Sequence, residues 1–207
     1  LAEMPRLECL LLRGAETGAF GVLPRLGALR MLDLSEMKLS RVPEDVTRLS
    51  RLQRLYLSDN ALTNLPAVTG ALKGLTYLNL DRNRLVTLPE ELGGLQSLRW
   101  LRLNQNQLDA LPGTVGSLTQ LQRLYLRGNR LRALPEALAA CSLIEDLALS
   151  GNQLNAFPEF LTRLPRLRNL DLSGNPLATF PEEAALARMT SLRLLTLTRC
   201  NVAPEVQ

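Results

Sequence analysis

Leu52-Gln53-Arg54-Leu55-Tyr56-Leu57-Ser58-Asp59-Asn60-Ala61-Leu62 sets leucines and one asparagine in the pattern L-x-x-L-x-L-x-x-N-x-L. The pattern returns with first residues Leu75, Leu98, Leu121, Ile144 and Leu167, each 23 residues after the last. Degenerate copies begin at Leu7, Leu29 and Leu192, so about nine repeats run through the 207-residue chain. Prolines keep the same period at 43, 66, 89, 112, 135, 158 and 181, each after Val, Leu or Phe.

The spacing dictates local structure. In Leu98-Arg99-Trp100-Leu101-Arg102-Leu103, Leu101 and Leu103 alternate with Trp100 and Arg102. Period two means a short strand with one face buried. The asparagine follows where the chain turns out of the strand. Its amide can bond backbone groups of its own coil and the neighbouring one, so Asn60, Asn83, Asn106, Asn129, Asn152 and Asn175 should stack as a ladder. Each such bond is worth about 0.5–1.5 kcal/mol net, and removing the side chain would strand buried backbone. Proline then stops the strand and suits the start of a helical turn. Leucines three apart in Leu92-Gly93-Gly94-Leu95-Gln96-Ser97-Leu98 imply a short helical or 3₁₀ return. One repeat cannot bury its own leucine face, whereas stacked repeats bury a continuous core. Ordinary amphipathic helices, with period 3.6, would not hold Asn and Pro at one fixed phase.

The consensus L-P-x-x-L-x-x-L-x-x-L-x-x-L-x-L-x-x-N-x-L resembles the leucine-rich-repeat superfamily, over residues 7 to about 202. It is similar to the 23-residue intracellular class found in Ras-pathway scaffolds, Roco kinases, plant intracellular Ras-group repeats and injected bacterial effectors. The resemblance implies an α/β fold: a right-handed horseshoe solenoid with a parallel sheet on the concave face and short helical or 3₁₀ returns on the convex face. Residues 1–207 are read as a single domain of that kind. The motifs specify fold far better than function.

The pattern breaks in places. Ala15 and Met37 stand where asparagine is expected, and so does Cys200, a common substitute in the resembled family. The last step, from Leu167 to Leu192, is 25 residues, and Pro181-Glu182-Glu183-Ala184-Ala185-Leu186-Ala187-Arg188-Met189 should form a fuller helix than its neighbours. Neither end has the polar cap a solenoid needs, so the chain reads as part of a longer protein; the other reading is that the degenerate end repeats are the caps.

Composition excludes several function classes. The net charge is +4 and mixed in sign, unlike a nucleic-acid tail. No apolar run reaches membrane-spanning length, which argues against a membrane partner. Three scattered cysteines (Cys9, Cys141 and Cys200) and the absence of any Asn-x-Ser/Thr sequon favour a reducing compartment or a bacterial source over a eukaryotic secretory route, and the expected setting is intracellular and cytoplasmic. With no histidine, there is no His-based metal site and no Ser-His or Cys-His nucleophile, and no Gly-rich phosphate cradle appears. Ser-Gly-Asn and Arg-Gly-Asn triplets belong to the repeat turn. Cys141 reads as packing, and Glu90-Glu91 and Glu182-Glu183 as helix-opening acids. We therefore expect no catalytic role for these repeats, no cofactor, no metal and no small-molecule substrate.

The candidate site lies at the outward strand positions, third and fifth in each repeat. They carry Arg54, Tyr77, Trp100 and Arg123, and Tyr56, Asn79, Arg102 and Tyr125. All three tyrosines and the single tryptophan fall there. Tyr, Trp and Arg dominate interface hot spots. On the flanking columns Arg127, Arg99 and Arg82 join in, so six arginines face Asp59 and Asp81 across four central repeats, while the outer repeats are slightly acidic. A protein partner with an acidic surface and an apolar anchor fits this pattern. The alternative is that these side chains pair among themselves and keep the sheet soluble.

The leading functional expectation is protein recognition on the concave face. An Arg- and Ala-rich sequence whose only lysines are Lys38 and Lys73 suggests a GC-rich bacterial genome. It resembles effectors delivered into host cells, in which repeats choose targets for an adjoining domain such as a ubiquitin ligase. A signalling scaffold for a small GTPase would use the same face. Nucleic-acid binding would use the same arginines and rings, but interleaved acids oppose it.

Overall fold

The computed structural model describes residues 4–16 and 20–200. Thr17–Ala19 and the two chain ends, on which the capping expectation bears, lie outside the described residues. Nine three-residue strands appear in chain order: β1 (Cys9–Leu11), β2 (Met31–Asp33), β3 (Arg54–Tyr56), β4 (Tyr77–Asn79), β5 (Trp100–Arg102), β6 (Arg123–Tyr125), β7 (Asp146–Ala148), β8 (Asn169–Asp171) and β9 (Leu194–Thr196). They pair in sequence order as one open parallel sheet. Every junction keeps the same phase, as in Leu55↔Leu78 and Leu78↔Leu101. The 25-residue step still pairs Leu170 with Leu195, so the extra residues are absorbed in the return.

The inward strand leucines, Leu32 to Leu170 from β2 to β8, are at most 1% exposed, and one core runs the length of the stack. Proline sets the start of most returns. Its carbonyl accepts the first 3₁₀ bond, as Val46 N–H to Pro43 (3.0 Å) and Leu138 N–H to Pro135 (3.0 Å). It therefore sits at the cap, just ahead of Glu44–Arg48, Ala67–Ala71, Glu90–Gly94, Gly113–Ser117, Glu136–Ala140 and Glu159–Arg163. The last return differs in kind, not in length. Helix α1 (Glu183–Leu186) is α-helical but only four residues long, and Glu182 rather than Pro181 caps it. The composition of that segment favours the α form, which Glu183–Leu186 adopts for a single turn.

The asparagines work as the spacing implied. Asn83 Nδ2 donates to Leu57 O in the previous coil (2.9 Å) and to Leu80 O in its own (3.1 Å), while Oδ1 accepts from Leu62 N–H (3.0 Å). Asn106, Asn129, Asn152 and Asn175 repeat this, and all are buried. At the end of the series the Cys200 thiol donates to Leu172 O (3.1 Å), replacing the amide donor.

Two features are invisible in the leucine pattern. The eighth residue of every repeat has a positive φ: Gly14, Gly128, Gly151 and Gly174, but also Glu36, Asp59, Arg82, Gln105 and Arg199. In the first eight of these nine that conformation turns the N–H onto the next coil, as Gln105 N–H to Arg127 O (2.7 Å), and it costs a non-glycine residue about 1–3 kcal/mol. On the convex side, Gly70 and Gly116 let successive returns touch. A Cβ on Gly70 would stand 2.0 Å from Glu91 O, and one on Gly116 2.4 Å from Ala137 O. Thr69 breaks the apolar column of Val46, Leu92 and Val115, and its hydroxyl is buried without a partner.

Thr69→Val should therefore raise stability by about 1–3 kcal/mol, because an unsatisfied hydroxyl is exchanged for a methyl of the same shape. Asn129→Ala should lower it by about 1–3 kcal/mol, because three backbone groups lose their partner together. Urea denaturation of both variants against the parent checks the two signs.

Candidate protein-binding face

Strands β3 to β6 present the predicted residues on one face. Tyr56, Tyr77, Asn79, Arg102, Arg123 and Tyr125 are half-buried, and Arg54, Trp100 and Arg127 are exposed. In-register pairing puts each ring beside the next. Tyr56 and Tyr77 are 4.9 Å apart between ring centres, and Tyr77 and Trp100 5.7 Å. The Arg123 guanidinium lies 4.3 Å over the Trp100 ring and bonds Asp146 at 3.0 Å. Tyr77 is buried enough that its phenol is pushed above its ordinary pKa. The indole is 37% exposed and outside the core.

The arginines divide into two groups. Arg102 bonds Asp81 at 2.7 Å and lies 5.4 Å from the Tyr125 ring centre. Asp81 is only 1% exposed; its other oxygen accepts the Asn104 N–H (2.8 Å). Burial works against the Arg102 charge, but the Asp81 hydrogen bond and charge prevail and hold the guanidinium above its ordinary pKa. Arg82 bonds Asp59 and, by that hydrogen bond, holds the carboxyl below its ordinary range. Arg123 takes Asp146 from the neighbouring repeat. Arg54, Arg99 and Arg127 make no ion pair among the described residues. The central surplus of positive charge is thus partly neutralised, because residues 23 apart touch across coils, including across the boundary at β7.

Asn79 has a structural task. Its Oδ1 accepts the Asp81 N–H at 3.0 Å, as Asp33 does for Ser35 and Asp171 for Ser173. These N–H groups follow the strand and need a side-chain acceptor. Outside this face, Cys9 is exposed, and Cys141 is buried with its thiol on Val115 O (3.3 Å) and its pKa pushed up to about 11 by burial. Cys141 fills the column of Leu72, Leu95 and Leu118, which agrees with packing. Among the described residues no group of His, Cys, Asp or Glu could hold a metal ion, and no helix is long and apolar enough to cross a membrane.

A model of the leucine-rich repeat region matches residues 68–198. No curated protein matches in sequence. Among solved structures, a leucine-rich-repeat protein of Leptospira interrogans is 27% identical with a TM-score of 0.57, over 98% of this chain and 64% of that one. An internalin of Listeria monocytogenes has a TM-score of 0.85 at 20% identity, over 98% of this chain and 58% of its own, a likeness of fold alone. The Arabidopsis receptor kinase HAESA, solved with the peptide hormone IDA and the co-receptor SERK1, has a TM-score of 0.77 at 25% identity, over 96% of this chain and 35% of the receptor. This chain therefore spans about a third to two thirds of these structures.

The division of arginines has a measurable consequence. Arg102→Ala leaves the buried Asp81 carboxylate without its counter-charge and should cost about 1–3 kcal/mol, moderated by the solvent that reaches Arg102. Arg54→Ala should change stability by no more than about 0.5 kcal/mol. Thermal unfolding of the two variants gives the comparison.

Proposed function

The chain belongs to the leucine-rich-repeat family, and from that premise we propose that it is a protein-recognition module that binds a partner protein on the concave sheet face. One observation carries the reading: Tyr56, Tyr77 and Trp100 form a contiguous run of rings on adjacent rigid strands, with Arg123 over its end. Large rings already held in place lose little entropy on binding, and such groups supply most interface energy. The partner we propose has an acidic surface, for the uncommitted arginines, and an apolar anchor, for the rings. HAESA was solved with a peptide hormone and a co-receptor, which supports a polypeptide as the kind of partner. Asp59 and Asp81 among the arginines favour such a partner over the uniform charge of nucleic acid.

As a wider setting we propose an intracellular, target-selecting part of a bacterial effector, such as one carrying a ubiquitin ligase. Its support is the arginine-rich, lysine-poor sequence and the likeness to a Leptospira interrogans protein. A scaffold for a small GTPase would engage the same residues.

The test is capture of partners from bacterial and host lysates by the immobilised parent and by the Tyr77→Ala/Trp100→Ala variant. The captured protein should bind the variant at least ten-fold more weakly while its circular dichroism is unchanged. Equal capture by both would refute a concave site.

A further inference from the structure

Arg54 and Arg99 are exposed, and neither forms an ion pair among the described residues, although three neighbouring arginines do. Both line one cleft of about 440 Å³ on the sheet face, whose walls include Tyr77, Trp100 and Gln122 and contain no carboxylate. Two arginines lining a shared space that holds no counter-ion give it a net positive charge. An entering carboxylate neutralises that charge, and guanidinium groups suit it because they offer forked hydrogen bonds. The flat sides of Tyr77 and Trp100 supply apolar surface for a short aliphatic stem.

We propose that this cleft is a carboxylate subsite that takes an Asp or Glu side chain from an extended acidic segment of the partner, with Arg54 and Arg99 as donors. The assignment rests on the concave-face reading above. It moves the binding charge away from Arg102 and Arg123, which the sequence places at the centre. Arg123, held by Asp146 and lying over the indole, is a positioning residue for Trp100. A single carboxylate fits better than a phosphate chain. Asp59 and Asp81 follow β3 and β4, where Arg82 and Arg102 hold them, so a uniformly charged phosphate chain laid along the face would meet these carboxylates, whereas one side-chain carboxylate seated in the cleft does not.

Trp100 is the only tryptophan, so its emission reports on this cleft alone. The probe is N-acetylated, C-amidated hexaglutamate, which offers only side-chain carboxylates; hexalysine and a decathymidylate strand are the comparisons. The expected result is a saturable change in Trp100 emission with hexaglutamate and none with hexalysine. The apparent affinity should fall at least ten-fold in Arg54→Gln/Arg99→Gln and stay within two-fold in Arg130→Gln/Arg132→Gln, which removes equal charge from exposed positions elsewhere. Loss of binding in both pairs, no loss in the first, no response to hexaglutamate, or tighter binding of decathymidylate through the same two arginines would each overturn the subsite. Should the captured partner still depend on Tyr77 and Trp100 while hexaglutamate fails, the concave face stands and the carboxylate subsite falls. Should capture be indifferent to Tyr77 and Trp100, the face itself is the error.

Discussion

The asparagine amide that bridges two coils is the interaction on which the rest of the structure depends. Asn83 joins Leu57 O and Leu62 N–H of one coil to Leu80 O of the next. A side chain with one acceptor and one donor head can do this only if both coils present these groups at the same phase. The ladder therefore enforces a common register, and register turns a sequence repeat into columns of side chains. Where asparagine is missing at the far end, Cys200 keeps the donor half through Leu172 O. A thiol has no carbonyl-like acceptor to offer an N–H of the coil before it.

Columns bring residues 23 apart into contact, and this decides the chemistry of the face. Tyr56, Tyr77, Trp100, Arg123 and Asp146 form one chain of neighbours, ring to ring to cation to anion. Pairing within the face and binding by the face are not rivals. Exposed ion pairs contribute little stability, but an arginine fixed by a carboxylate fixes the ring beneath it. A ring that is already held binds with less ordering cost.

The fold was legible because its signals are local: leucine alternation for the strands, proline for the start of each return, asparagine for the ladder. The run of rings was legible for the same reason. What stayed hidden depends on neighbours one coil away. Nothing local to Gln105 or Arg82 marks a left-handed backbone; the cue was glycine at the same phase in Gly128, Gly151 and Gly174. Gly70 and Gly116 look like loop residues until the return beside them is in place. A charge count divided between central and outer repeats put Asp146 on the outer side, yet it lies 23 residues after Arg123 and pairs with it across that boundary. Asn79 was counted as a contact residue because its position faces outward, yet its carbonyl is held by the backbone N–H of Asp81.

Much of the polar face already has a task inside the protein. A solenoid this regular assigns much of its polar surface to its own backbone and to neighbouring charges: Asn79 and Asp81 satisfy N–H groups, and Arg82, Arg102 and Arg123 satisfy carboxylates. Changing any of these disturbs a partner inside the protein, so they are poorly placed to vary with an external target. Arg54, Arg99 and the Trp100 indole carry no such obligation in the described structure. Their side chains can be exchanged without stranding a buried group, which gives the fold freedom to adapt these positions to a ligand. Freedom to vary is therefore concentrated where the ladder makes no demands, around the cleft on β3, β4 and β5 in which we propose that recognition resides.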